Sequence, residues 1–192
     1  NASDGSFESP VPADAPGSPS YTINTENPTL AQCVEQSIKY LSRDSDGFFV
    51  MFEQGCIDWA NHSNDYSRMI GCIHDLDEAV KKAIEYINTP GDDIDWTNTL
   101  LIVTADHANS YMRLVEGKEP GIGDLPAQSG TSYPDGEVTY GSGDHTNEPV
   151  MIYAKGEGTG YLKAREGAWY TGTTLIDNTD IFHAIAESAG LE

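Results

Sequence analysis

Three unbroken apolar runs, at residues 48–52, 100–103 and 150–154, constrain this chain most. None alternates with polar residues, and each has the length of a strand. A strand that is apolar on both faces is one buried between layers, as in a parallel sheet. Helical periodicity fills the intervals. After Thr29 and Gln32, which have the spacing of a capping box, Leu30, Cys33, Val34, Ile38 and Leu41 form one apolar stripe. A second helical pattern runs over residues 65–88, with Ile73, Leu76, Val80, Ala83, Ile84 and Ile87 inward, and stops before Pro90-Gly91. A third covers residues 179–189. Residues 111–143 are rich in Gly, Pro and Ser and read as a long loop or insertion; residues 1–28 read as a flexible or insertion segment. The order strand, helix, strand, loop, strand, helix predicts a layered α/β fold over residues 29–192.

Polar clusters flank all three runs. Glu53, Asp58 and His62 follow the first; Thr104, Asp106 and His107 follow the second; Asp144 and His145 precede the third. In open α/β sheets, sites form beyond the carboxyl ends of strands. Imidazole together with carboxylate suits zinc. Asp58 and His62 are four residues apart, so one helical turn puts both on one face. Asp106 and His107 are adjacent, and both reach one ion only from a loop or a strand end.

Charge narrows the partners. With 31 acidic and 10 basic residues, the net charge is −21. Such a surface repels nucleic acid. The excess reads as a solvated, salt-tolerant face, with a few carboxylates set aside for cations. No apolar stretch is long enough to span a membrane, and no signal peptide is visible. Cys33, Cys56 and Cys72 include no CxxC pair; one disulfide and three buried or free thiols both remain open.

Taken together, Glu53-x4-Asp58-x3-His62, Thr104-Ala105-Asp106-His107 and His145-Thr146-x2-Pro149 resemble the signature of the alkaline phosphatase family, in that order. The segments at residues 47–53, 177–183 and 189–191 are similar to it too. The resemblance runs from about residue 29 to 192. It implies a three-layer αβα fold with a largely parallel central sheet, of which this chain would hold the C-terminal part. It implies two Zn2+ and one Mg2+: Asp58, His62 and His145 for the first zinc, Asp106 and His107 for the second, Glu53 for magnesium. Trp59 stands beside Asp58 where better-known members often carry Lys or His, which implies weaker phosphate holding, as in marine or halophilic bacterial types.

The resemblance also implies a broad-specificity phosphomonoesterase acting through a phosphoseryl intermediate, periplasmic or secreted, and a homodimer when complete. Two metal ions flanking the phosphorus would activate the Ser hydroxyl and stabilise the leaving oxygen. The nucleophile and the phosphate-clamping Arg have no match here. Asp44-Ser45-Asp46 lies before the first apolar run, and Arg43, Arg68, Arg113 and Arg165 sit in other contexts. An N-terminal half would supply both, so the chain alone is expected to be inactive. A superfamily phosphodiesterase or sulfatase, and a non-catalytic acidic metal-binding fragment, are the alternatives. His74 and His183 read as structural or surface residues, Asp75, Asp77 and Glu78 as a solvated helix face, Cys56 as a small buried residue, and Asp144 as a support for His145 or a solvent-facing group.

Overall fold

The computed structural model describes residues 28–121 and 124–191. The flexible or insertion segment expected at residues 1–28 lies, but for Pro28, outside the described residues. The chain divides into two compact units.

The first unit comprises Asn1–Ala83 and Ala108–Asn147. Helix α1, Leu30–Leu41, opens on the expected capping box. Thr29 Oγ1 accepts from the Gln32 N–H at 3.2 Å, and Gln32 Oε1 accepts from the Thr29 N–H at 2.9 Å. Two of the four orphan amides at a helix start are thereby satisfied. Val34 and Ile38 carry its buried stripe. Helix α2, Cys56–His62, is short. Asn64, at φ 52°, ends it in a Schellman motif: the Asp65 N–H donates to Ala60 O and the Asn64 N–H to Asn61 O, each at 2.9 Å. Asp65 Oδ1 then accepts from the Arg68 N–H at 3.1 Å and starts helix α3, Tyr66–Asn88.

The inner face expected of α3 is met at Ala83 and Ile87 and missed at Ile73. Cys72, Asp75, Ala79, Ala83 and Ile87 are buried, whereas Ile73 is exposed. Asp75 is thus a correction to the solvated face expected of it. The residue is 5% exposed, and its carboxylate accepts from Gln54 Nε2 at 2.5 Å and from the Leu30 N–H at the start of α1. Burial outweighs these bonds and raises its pKa above the ordinary carboxylate value. All three cysteines are free thiols. Cys56 and Cys72 are buried and hydrogen-bonded to each other, which together with desolvation pushes the Cys72 thiol up. Two small antiparallel pairs complete the unit: β2, Ala108–Asn109, with β5, His145–Thr146; and β3, Arg113–Leu114, with β4, Val138–Thr139. The last pair falls inside the segment expected to be loop.

The second unit comprises Ile84–His107 and Glu148–Glu192. Strand β1, Leu100–Val103, pairs antiparallel with β6, Tyr153–Gly156, in the register Leu100↔Gly156 to Val103↔Tyr153. Gly156, at φ +100°, closes the ladder where a Cβ would stand 1.9 Å from Thr99 O. Helix α4, Thr159–Arg165, a helix the periodicity did not reveal, packs on α5, Thr179–Ser188.

The α/β class holds, but the largely parallel sheet is not seen among the described residues. Every strand pair is antiparallel, and residues 48–52 form no strand. The third strand begins at Tyr153, not at Val150. An apolar run marks a segment that needs cover on both faces; it carries no information about the direction of the strand beside it. The cover itself is incomplete, with Phe49 70% and Met51 79% exposed.

Candidate metal centre

Helix α2 places Asp58 and His62 one turn apart, and β5 brings His145 to them from a segment 83 residues further along. Asp58 Oδ2 lies 3.3 Å from His62 Nε2, and Asp58 Oδ1 lies 3.3 Å from His145 Nε2. The two Nε2 atoms are 3.1 Å apart, with the rings tilted by 35°. One ligand atom from each of the three side chains falls within 4.8 Å of the others. About a third of the Asp58 and His62 side chains and half of His145 remain exposed, so the trio is open on one side.

The surrounding bonds define what the trio can hold. His62 Nδ1 lies 2.6 Å from Gly143 O. A carbonyl oxygen only accepts, so Nδ1 carries the proton and the Nε2 lone pair faces His145 and Asp58. A lone pair, a second imidazole nitrogen and a carboxylate converging at this range form a donor set for a borderline divalent cation such as zinc. The carboxylate is itself fixed. Asn109 Nδ2 donates to Asp58 Oδ1 at 2.6 Å and approaches Asp58 O at 3.3 Å. The β2–β5 pairing sets Asn109 directly opposite His145.

Asp106, His107 and Glu53 are not members of this trio. Asp106 and His107 follow β1 in the second unit, where Asp106 Oδ2 lies 3.3 Å from His107 Nε2 and Asp106 Oδ1 accepts from the His107 N–H at 3.1 Å. The Asp106 side chain is 87% exposed. Glu53 is exposed in the segment before α2, with Oε1 bent back to 3.1 Å from where a Cβ on Gly55 would sit. Trp59, next to Asp58 on α2, is 61% exposed. Asp144 supports the trio through its backbone, its carbonyl accepting from the Ser110 N–H at 2.9 Å.

Among the described residues, one other trio meets the same distance criterion: His74, Asp77 and Glu78 on α3. Its carboxylates already pair with Lys81, at 2.8 Å and 2.7 Å, which makes it a solvated ion-pair face. Sequence reasoning passed over Asn109 and Gly143. Neither is an ionisable or ligand-type group, and the signal available is position: Asn109 stands two residues after His107, and Gly143 opens the cluster that holds His145.

Comparison with known proteins bears directly on this arrangement. The family model described as alkaline phosphatase matches residues 15–121. The chain is 34% identical over 175 residues to an alkaline phosphatase of Escherichia coli, covering 88% of this chain and 33% of that protein. It is 35% identical over 170 residues to alkaline phosphatase H of Pseudomonas aeruginosa, covering 85% of this chain and 32% of that protein. The chain therefore spans about a third of the length of these relatives. Among solved structures, it matches the alkaline phosphatase of the Antarctic bacterium TAB5 with TM-score 0.62 and 26% identity, over 88% of this chain and 42% of that one. A variant of the TAB5 enzyme, solved with Mg bound, matches with TM-score 0.61 and 26% identity, over 85% of this chain and 42% of that one. No described helix is long and apolar enough to cross a membrane. The motifs, the fold and the relatives converge, and the chain belongs to the alkaline phosphatase family.

Proposed function

We propose that this chain carries the metal-binding side of a broad-specificity phosphomonoesterase. The observation that carries this reading is the convergence of Asp58, His62 and His145, with Nδ1 of His62 turned to Gly143 and the carboxylate of Asp58 held by Asn109. In the reading, these three hold a first zinc, Asp106 and His107 a second, and Glu53 a magnesium. A bound metal pair supplies Lewis acidity to the phosphoryl oxygens and to the attacking and leaving oxygens. The chain's own residues fix the donor atoms before any ligand arrives: Gly143 sets one tautomer and Asn109 one carboxylate orientation. Trp59, beside Asp58, borders the phosphate and offers it no charge.

The Ser nucleophile that forms the phosphoseryl intermediate and the Arg that clamps phosphate belong to a part of the protein outside this chain. Support comes from the 33% of the Escherichia coli relative that the chain covers. That N-terminal part is the chain's first partner, and it covers residues 48–52 and completes a larger, mostly parallel sheet. The complete enzyme is a periplasmic or secreted homodimer acting on phosphate monoesters, and the −21 charge of this chain suits saline surroundings. The relatives named alkaline phosphatase support the reaction class, and the TAB5 variant with bound Mg supports a magnesium ion in the complete enzyme.

The test compares hydrolysis of p-nitrophenyl phosphate and bis(p-nitrophenyl) phosphate by the complete protein, before and after chelation. Monoester turnover that is lost on chelation and restored by zinc is expected. A preference for the diester, or activity indifferent to chelation, overturns the reading.

A further inference from the structure

Ser110 ties together the two segments that carry the candidate metal ligands. It is fully buried, at 0% exposure, and holds φ +61°, a conformation that residues with a Cβ rarely adopt. Tyr111 follows at φ +49°. Two consecutive left-handed residues that are not glycine are a costly local choice, maintained where the surroundings over-determine it.

Those surroundings are specific. The Ser110 hydroxyl lies 2.6 Å from Asn61 O, in the last turn of α2 and one residue before His62. It also lies 2.7 Å from Asn109 Oδ1, so its single proton is shared between the two acceptors. Asn109 turns its amide nitrogen to Asp58 Oδ1 at 2.6 Å. The hydroxyl thus selects the amide orientation: with Oδ1 committed to Ser110, Nδ2 must face the carboxylate. The backbone of Ser110 grips the other segment. Its N–H donates to Asp144 O at 2.9 Å, next to His145, and its carbonyl accepts from the Gly141 and Ser142 N–H groups at 3.0 and 3.2 Å. Gly143, whose carbonyl accepts from His62 Nδ1, lies within that gripped turn.

We infer that Ser110 is a positioning residue for the Asp58–His62–His145 site, acting through Asn109 on Asp58 and through the 141–144 turn on His62 and His145. The inference rests on the metal reading proposed above. It assigns to a buried hydroxyl a measurable share of cation affinity, beyond the stability that any buried serine contributes.

Ser110→Gly separates the two contributions, because glycine adopts φ +61° without strain while lacking the hydroxyl. Cobalt(II) serves as the probe, titrated into the metal-free complete protein and followed by its visible absorption band. Ser110→Gly leaves Asn61 O and Asn109 Oδ1 without that donor, so the thermal midpoint of the metal-free protein is expected to fall modestly with the transition still cooperative, while cobalt binding weakens about 10-fold or more, the usual cost of losing a group that orients a ligand. The band should also shift, since the coordination by Asp58 changes. Asn109→Ala should weaken binding similarly, and the double variant no further than Asn109→Ala alone, as expected of two residues acting in series. Wild-type cobalt affinity in Ser110→Gly, or losses that multiply in the double variant, overturns the role of Ser110. Asp58→Ala identifies the level of failure: unchanged cobalt binding there overturns the metal reading itself, whereas abolished binding beside an unaffected Ser110→Gly overturns only the inference drawn here.

Discussion

The Asn109 amide nitrogen donates to Asp58 Oδ1 at 2.6 Å across 51 residues of sequence. A carboxylate held by one neutral donor keeps its charge for a cation while losing its freedom to rotate. Asn109→Leu removes that donor at similar volume without adding charge and should weaken zinc binding about 10- to 100-fold, the range typical for loss of an orienting partner. Competition titration against a chromophoric chelator measures it. Unchanged affinity contradicts the assigned geometry.

Gly156 closes the β1–β6 ladder at φ +100°, with no room for a Cβ beside Thr99 O. Gly156→Ala combines a disfavoured dihedral with a direct overlap and should cost about 3 kcal/mol or more in urea unfolding, the scale of strained-backbone substitutions. A change within about 0.5 kcal/mol, as at an ordinary surface position, rejects this description of the turn.

Burial of Asp75 raises its pKa above the usual carboxylate value. The folded protein then holds this proton over a pH window where the unfolded chain has released it. Stability contributed by this group is greatest below the unfolded pKa and falls as pH rises through the raised folded value. Asp75→Asn keeps an acceptor for Gln54 Nε2 and removes the ionisation. Its stability relative to the wild type should therefore increase as pH rises through that window and level off above it. Parallel urea-midpoint profiles for the two proteins contradict the assignment.

Trp59 is 61% exposed beside Asp58 and offers phosphate no charge. Trp59→Lys in the complete enzyme should lower the inhibition constant of inorganic phosphate, read from steady-state competition. An unchanged constant rejects a phosphate-facing Trp59.

Local chemistry was legible in the sequence wherever a pattern spans a few residues. The Thr29–Gln32 box, the four-residue step from Asp58 to His62 and the extent of α3 all follow from periods that the backbone imposes. What depends on partners far along the chain was not. The inner face of α3 departs from its apolar pattern around Ile73 because Asp75 is drawn inward by Gln54 and by the amide of Leu30, which leave no local pattern. The direction of β6 against β1 is set by pairing, and apolar runs look alike in either direction. Asn109, Gly143 and Ser110 carry no sequence signal of their roles for a related reason: each works through a bond to a distant carboxylate, imidazole or backbone group, and none is a metal-ligand residue type.

The most direct test is an anomalous difference map, collected at the zinc absorption edge from crystals of the complete protein grown with zinc. The account predicts a peak about 2.0–2.2 Å from His62 Nε2, His145 Nε2 and an Asp58 carboxylate oxygen, the distances expected for zinc. Zinc bound elsewhere, for example at His74, Asp77 and Glu78, with no peak among Asp58, His62 and His145, contradicts it.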